Sequence, residues 1–167
     1  MAGGPQFTHI VGYHASIVIR NALFRIPAKV DYRALPWVTY TDPELAQVGL
    51  TEAQAREKYH TIKVLRFDFA ENDRARAERT SQGLIKVITK PKGQVLGVSV
   101  IGPHAGELLL VWSLVITQKL KISAVANLIA PYPTLSEINK RVAGSFFTPM
   151  LFSERTRRFV RWLAKLG

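Results

Sequence analysis

The stretch Tyr132-Pro133-Thr134-Leu135-Ser136-Glu137 places a phenol and a carboxylate five residues apart. A phenol can donate a proton or a hydrogen bond, and a carboxylate can accept one or orient a neighbouring donor. Thr134 and Glu137 stand at the spacing of a capping box. In that motif the threonine side chain accepts from the backbone N–H of Glu137, and the Glu137 side chain reaches back to the N–H of Thr134. The spacing predicts a helix that starts at Thr134. Pro131 and Pro133 hold the incoming backbone extended. One rigid corner then aims both groups. Two readings stand side by side: a corner that carries chemistry, and a corner that only starts a helix.

Other chemistry is sparse. Gly93, Gly97 and Gly102 lack the spacing of a dinucleotide fingerprint and fall in a predicted hairpin, so the chain is not expected to bind NAD(P) by itself. No serine sits in a Gly-x-Ser-x-Gly elbow. His9 and His14 lie five apart, on different faces of a helix, while His60 and His104 stand alone, so no metal site is expected. The absence of cysteine excludes disulfides, a thiolate nucleophile and a Cys-ligated zinc, and fits a reducing compartment.

The elements that must position the corner follow from pattern. At 167 residues, with 47% hydrophobic and 21% charged, the chain suits one globular domain with a sizeable core, or a domain with appendages. A largely apolar helix is predicted over residues 8–24, and a loop with Pro27 and Pro36 marks a boundary after it. Residues 37–41 and 45–50 read as extended, separated by the turn Asp42-Pro43-Glu44. Thr51 and Gln54 form a second capping box, for a helix to about residue 59. Ile62, Val64, Arg66 and Asp68 alternate with Lys63, Leu65, Phe67 and Phe69, which reads as a strand with its charge largely on one face. The charged run 72–79 reads as a solvated connector. Residues 83–90 and 94–101 are β-branched strands joined by Pro91-Lys92-Gly93. A helix over 105–119 is apolar on nearly all sides, which suits either core or a subunit interface. A short helix from Ser123 and the corner helix to about Val142 follow. Strands first and helices later predict an α+β fold with an antiparallel sheet flanked by helices.

The last segment, 153–166, is amphipathic. Ser153 caps it, Phe159, Trp162, Leu163 and Leu166 recur at helical spacing, and Arg155, Arg158, Arg161 and Lys165 lie mostly on other faces. From Ile138 to the end there are seven Lys or Arg against one acid. The whole chain carries +11, which favours anionic partners. Three readings of this helix remain: a face packed on its own domain, a helix on an anionic membrane surface, and nucleic-acid binding. The last is the weakest, because the aromatics are not interleaved with basic residues on a sheet face. Met1-Ala2-Gly3-Gly4 shows no signal-peptide pattern, and the apolar run 108–117 is too short to span a bilayer.

In order, Val38-Thr39-Tyr40-Thr41-Asp42-Pro43-Glu44, Val48-Gly49-Leu50-Thr51-Glu52, Asn72-Asp73-Arg74-Ala75 and Gly83-Leu84-Ile85-Lys86-Val87 resemble one known domain. Leu96-Gly97-Val98, Ile101-Gly102-Pro103-His104-Ala105-Gly106-Glu107 and Pro133-Thr134-Leu135-Ser136-Glu137 continue the series. It is the C-terminal dimerisation domain of the flavin-dependent pyridine nucleotide–disulfide oxidoreductases, which include dihydrolipoamide dehydrogenase, glutathione reductase and mercuric reductase. The match covers about residues 36–144. Residues 3–23 are similar to the last helix of that family's FAD domain, whose N-terminus approaches the flavin pyrimidine ring. Phe7, Thr8 and His9 take the matching positions and are the implied cofactor-binding residues.

In the family's disulfide reductases, the residue before the proline of Pro-Thr-x-Ser-Glu is a histidine. It reaches across the dimer to the partner's flavin and dithiol and is oriented by the glutamate. Here that position is Tyr132, with an ordinary phenol pKa of ~10, a poor base but a good donor. Tyr132 and Glu137 are therefore the implied catalytic residues. Tyrosine at this position points to the mercuric reductase-like branch. That enzyme's C-terminal cysteine pair is replaced here by Arg-Trp-Leu-Ala-Lys-Leu-Gly, so the resemblance implies a mercuric reductase-like oxidoreductase rather than mercury reduction itself. The family's dinucleotide folds and redox cysteines have no counterpart, and its Gly-Asp for the ribityl chain would fall just upstream of Met1. The chain is thus expected to be the C-terminal third of an enzyme, redox-inactive alone. The full-length enzyme would use FAD and NAD(P)H, with neither bound to this chain. The implied division is a helix remnant and linker over 1–35, the dimerisation domain over 36–147 and the basic helix over 148–167. A cytoplasmic homodimer is implied, with membrane association through the basic helix as the alternative and nucleic acid disfavoured.

Overall fold

The computed structural model describes residues 7–165. The Gly3-Gly4-Pro5 lead-in and the Leu166 of the amphipathic pattern lie outside the described residues. The first element is α1 (Thr8–Ala22), whose one buried residue is Ile10. Ile17 is half-buried, and Val11, Val18, Ile19 and, just beyond its end, Leu23 stand open, so the helix has little of the packing its apolar character calls for. The linker behind it folds back along it. The Asn21 side chain donates to the Ala28 carbonyl and accepts from the Ala28 N–H, and the Tyr13 hydroxyl accepts from the Asp31 N–H.

The sheet begins with β1 (Pro36–Thr39) and β2 (Glu44–Gly49), followed by α2 (Glu52–Lys58) and β3 (Lys63–Asp68). A short 3₁₀ turn over Phe69–Glu71 leads into α3 (Asp73–Ala77), and then come β4 (Leu84–Thr89) and β5 (Val95–Gly102). The helices α4 (Ala105–Leu108), α5 (Leu110–Thr117), α6 (Ser123–Ala126), α7 (Glu137–Ser145), α8 (Thr148–Leu151) and α9 (Glu154–Leu163) follow. The five strands run antiparallel in the order β1-β2-β5-β4-β3. This is the α+β arrangement expected from strands first and helices later.

Strand alternation splits the sheet into two faces. One carries Ala46, Val48, Ile85, Val87, Val98 and Val100, all without solvent contact, and packs into the main core with Leu108, Trp112, Val115, Ile138 and Val142 from the helices. The other face is partly polar. The registers Gln47↔Ser99, Lys86↔Ser99 and Arg66↔Lys86 run a polar row across it, and Glu52 of α2 pairs with Arg66 at 3.3 Å and Lys86 at 3.4 Å. The Thr51 capping box forms as predicted, with Gln54 N–H donating to Thr51 Oγ1 at 3.3 Å and Thr51 N–H to Gln54 Oε1 at 3.0 Å.

Two expectations are corrected. Residues 72–79 are solvated at all positions but Asn72 and Ala75, yet they form a helix and not a plain connector: Asn72 is 2% exposed and starts α3, because its Oδ1 accepts the Ala75 N–H at 3.0 Å. Phe69, just before it, is fully buried. Its ring lies so close to Gly102 (φ +153°) that a Cβ there would meet it at 2.4 Å. The predicted single helix over 105–119 is two, interrupted at Leu109. Asn139 of α7 occupies the break, donating from Nδ2 to the Leu108 carbonyl at 3.1 Å and accepting from Trp112 Nε1 at 2.7 Å. A buried indole N–H needs such a partner. No helix among the described residues is long and apolar enough to cross a membrane.

Candidate functional site

The corner is built differently from its predicted form. The Tyr132–Pro133 peptide is cis, and the backbone bends there instead of running extended. The capping box over Thr134–Glu137 does not form, and α7 starts at Glu137 with Ser136 as its N-cap and no side-chain cap bond. The reason lies in the prolines. Pro131 and Pro133 remove two main-chain donors, and Thr134 Oγ1 supplies one instead, donating to the Pro131 carbonyl at 2.7 Å. That hydroxyl also pairs with Ser136 Oγ at 2.9 Å. The Glu137 carboxylate turns along its own helix and accepts from Arg141 Nε at 3.0 Å, one turn on.

Two residues from the misread segment 72–79 hold the corner. Asn72 caps α3 with its oxygen and donates from Nδ2 to the Thr134 carbonyl at 3.1 Å. Asp73 Oδ2 accepts from the Tyr132 hydroxyl at 3.0 Å. The structure thus joins Tyr132 to Asp73 and Glu137 to Arg141, and no hydrogen bond links Tyr132 to Glu137, whose charge still acts on the phenol. The Asp73 carboxylate, by accepting that bond and by its negative charge, raises the Tyr132 phenol above its ordinary value near 10. The phenol therefore stays protonated at neutral pH. It is two-thirds exposed and can present its oxygen or ring to a partner, but it is no general base. Sequence reasoning missed Asp73 and Asn72 as parts of this corner, although Asn followed by Asp is the usual start of a helix.

Phe7, Thr8 and His9 sit together at the start of α1. The Phe7 ring stacks on the His9 imidazole at 5.3 Å, and His9 Nε2 lies 3.0 Å from the Pro36 carbonyl, tying the helix start to the sheet. Among the described residues no side chain caps this N-terminus and no acid occupies its first turn, so the N–H groups of Thr8 and His9 suit a negatively charged group. These residues and Tyr40, Gly106, Leu110 and Ser113 line a concavity of about 380 Å³.

Two concavities flank α5. On one side, Leu110 and Ser113 face the Phe7–His9 concavity. On the other, Val111 faces a smaller one of about 180 Å³, whose lining includes Leu128, Ile129, Ser136 and Pro131, the chain neighbour of Tyr132. Between them runs an uncovered apolar ridge, with Leu110 75% and Leu114 57% exposed. Among the described residues, no three His, Asp or Glu side chains gather as a metal site would require.

Comparison with known proteins agrees with this architecture. The family model described as the pyridine nucleotide-disulphide oxidoreductase dimerisation domain matches residues 35–143. A mercuric reductase of Lysinibacillus sphaericus is 33% identical over 144 residues, covering 86% of this chain and 26% of that protein. A dihydrolipoyl dehydrogenase of Bacillus subtilis (strain 168) is 37% identical over 141 residues, covering 84% of this chain and 30% of that protein. The two kinds of relative stand equally close, so Tyr132 does not single out the mercuric reductase-like branch. The HOCl-induced flavoprotein disulfide reductase RclA from Escherichia coli superposes with a TM-score of 0.79 at 29% identity, over 85% of this chain and 33% of that one. The chain thus spans about a quarter to a third of the length of the proteins it matches.

Proposed function

We propose a function that starts from membership: the chain belongs to the pyridine nucleotide-disulphide oxidoreductase family, of which it carries the dimerisation domain. It pairs with a second copy of itself and lends the Tyr132 corner to the partner's reaction centre. The observation that carries this reading is the α5 ridge. Leu110 and Leu114 stand one turn apart, uncovered, with the Phe7–His9 concavity on one flank and the approach to Tyr132 on the other. An exposed apolar ridge of this kind is suited to burial by another chain. A two-fold axis running along it sets the Tyr132 flank of one copy against the Phe7–His9 flank of the other.

The division that fits this role is a helix and linker over 1–35, the dimerisation domain over 36–147 and a basic extension over 148–167. In the assembled protein, hydride passes from NAD(P)H through FAD to an acceptor, and FAD when bound supplies that relay. The open N-terminus of α1 fits such a group, because the N–H groups of Thr8 and His9 and the helix dipole favour negative charge placed against them. Tyr132, its hydroxyl oriented by Asp73, presents a phenol where the family's disulfide reductases place an imidazole. Glu137, at the first position of α7, is held by Arg141 and leaves the corner to Asn72 and Asp73.

The test uses the absence of native cysteine. Thr8→Cys and Tyr132→Cys chains, made separately and mixed, are treated with a bifunctional thiol cross-linker. A covalent dimer of one of each is the expected product. Cross-linking confined to a single chain carrying both substitutions would place Tyr132 beside its own α1 and overturn the proposal.

A further inference from the structure

The dimerisation role leaves α8 and α9 unexplained. In α9 no residue is buried, although Phe159, Val160 and Trp162 each expose about 55% of their surface. The reading in which this helix packs its apolar face on its own domain is therefore not what the structure holds. Its two kinds of residue are segregated. At about 100° per residue, Phe159, Val160, Trp162 and Leu163 fall on one side and Arg157, Arg158, Arg161 and Lys165 on the other, with Arg155 alone among the basic residues on the apolar side, in the first turn. The Phe159 and Trp162 rings stack at 5.9 Å, forming one apolar plate. Met150, Leu151 and Phe152 of the preceding turn are exposed as well.

The helix is preformed. Ser153 Oγ accepts the Thr156 N–H at 3.2 Å, and Thr156 Oγ1 donates to the Met150 carbonyl at 2.7 Å, which ties the α8 turn to the first turn of α9. Five basic residues and one acid lie beyond Phe147. Glu154 meets Arg157 at 3.6 Å, and Arg155, Arg158, Arg161 and Lys165 have no acidic partner among the described residues.

We propose that α9, carried by the α8 turn, docks on an anionic bilayer surface. The apolar plate enters the headgroup boundary while the arginines opposite reach lipid phosphates, their aliphatic stems allowing the heads to stay in water. At ten residues the helix spans about 15 Å, so it lies in the plane of the interface and does not cross. Nucleic acid fits less well, since a backbone-tracking surface interleaves cations with stacking rings, and here four of the five cations lie away from the rings. The inference is independent of dimerisation, which uses α5.

The test is flotation of the purified chain with vesicles of phosphatidylcholine alone and of equimolar phosphatidylcholine and phosphatidylglycerol. Flotation is expected with the mixture only, weakening with salt, together with a blue shift of Trp162 emission. Arg158→Gln and Arg161→Gln are each expected to weaken binding about fivefold, and Phe159→Glu/Trp162→Glu to abolish it with dimer mass unchanged. Several results would overturn the proposal. They are absence of flotation, equal flotation of wild type and the aromatic double variant, and preferential binding of duplex DNA. Loss of the dimer in the double variant without lipid binding by wild type would also overturn it, by assigning this face to a second copy.

Discussion

At the level of single residues, a carboxylate that holds a phenol decides what the phenol can do. Asp73 accepts from Tyr132 and raises the phenol above 10. The sign follows from linkage: the bond is intact below the unfolded value of about 10 and is lost as pH rises through the raised folded value. A near-ultraviolet phenolate titration, with Tyr132→Phe to identify the signal, is expected to show Tyr132 ionising after an ordinary exposed tyrosine. Asp73→Asn is expected to bring it back towards 10, and an unchanged titration in that variant would mean that the carboxylate does not govern the phenol. Tyr132 and Glu137 were legible in the sequence as a corner because Pro-Thr-x-Ser-Glu is a local pattern. Asp73 was not, because it lies 59 positions away and only the fold brings it to the hydroxyl.

At the scale of the element, two capping boxes of the same spacing had opposite outcomes. Thr51 faces ordinary backbone donors and caps α2, whereas Thr134 follows two prolines and spends its hydroxyl on the Pro131 carbonyl. Removing the cap in Thr51→Ala is expected to cost about 1 kcal/mol in urea unfolding. Asn72→Ala is expected to cost more, about 2–3 kcal/mol, because it removes a buried cap and also strands the Thr134 carbonyl. Asn139→Ala leaves the Trp112 indole N–H and the Leu108 carbonyl buried without their partner, for a loss of about 2–5 kcal/mol. A change in that variant below the cost of Thr51→Ala would show that the clamp between α4, α5 and α7 matters little. The strands and the starts of α2 and α9 were readable from alternation and caps. The break at Leu109 was not, since an all-apolar run offers no periodicity to interrupt and the residue that stabilises the break belongs to α7.

At the scale of the whole molecule, the order of the strand and helix patterns made the α+β architecture legible, and the series of short motifs made the family legible. The connection of β2 to β5 rather than to β3 lay beyond them, because register between distant strands depends on which faces bury together. What α5 is for could be narrowed from sequence only to core or interface. The structure divides those roles within one helix: Trp112, Val115 and Ile116 are core, while Leu110 and Leu114 stand outside. The account therefore turns on whether that outer ridge is where two copies meet. Sedimentation equilibrium of the purified chain tests it most directly. The predicted mass is twice the 18.7 kDa of one chain, reverting to that of one chain in Leu110→Glu/Leu114→Glu at comparable circular dichroism. A wild-type chain that stays monomeric at every concentration, or a double variant that still dimerises, would contradict it.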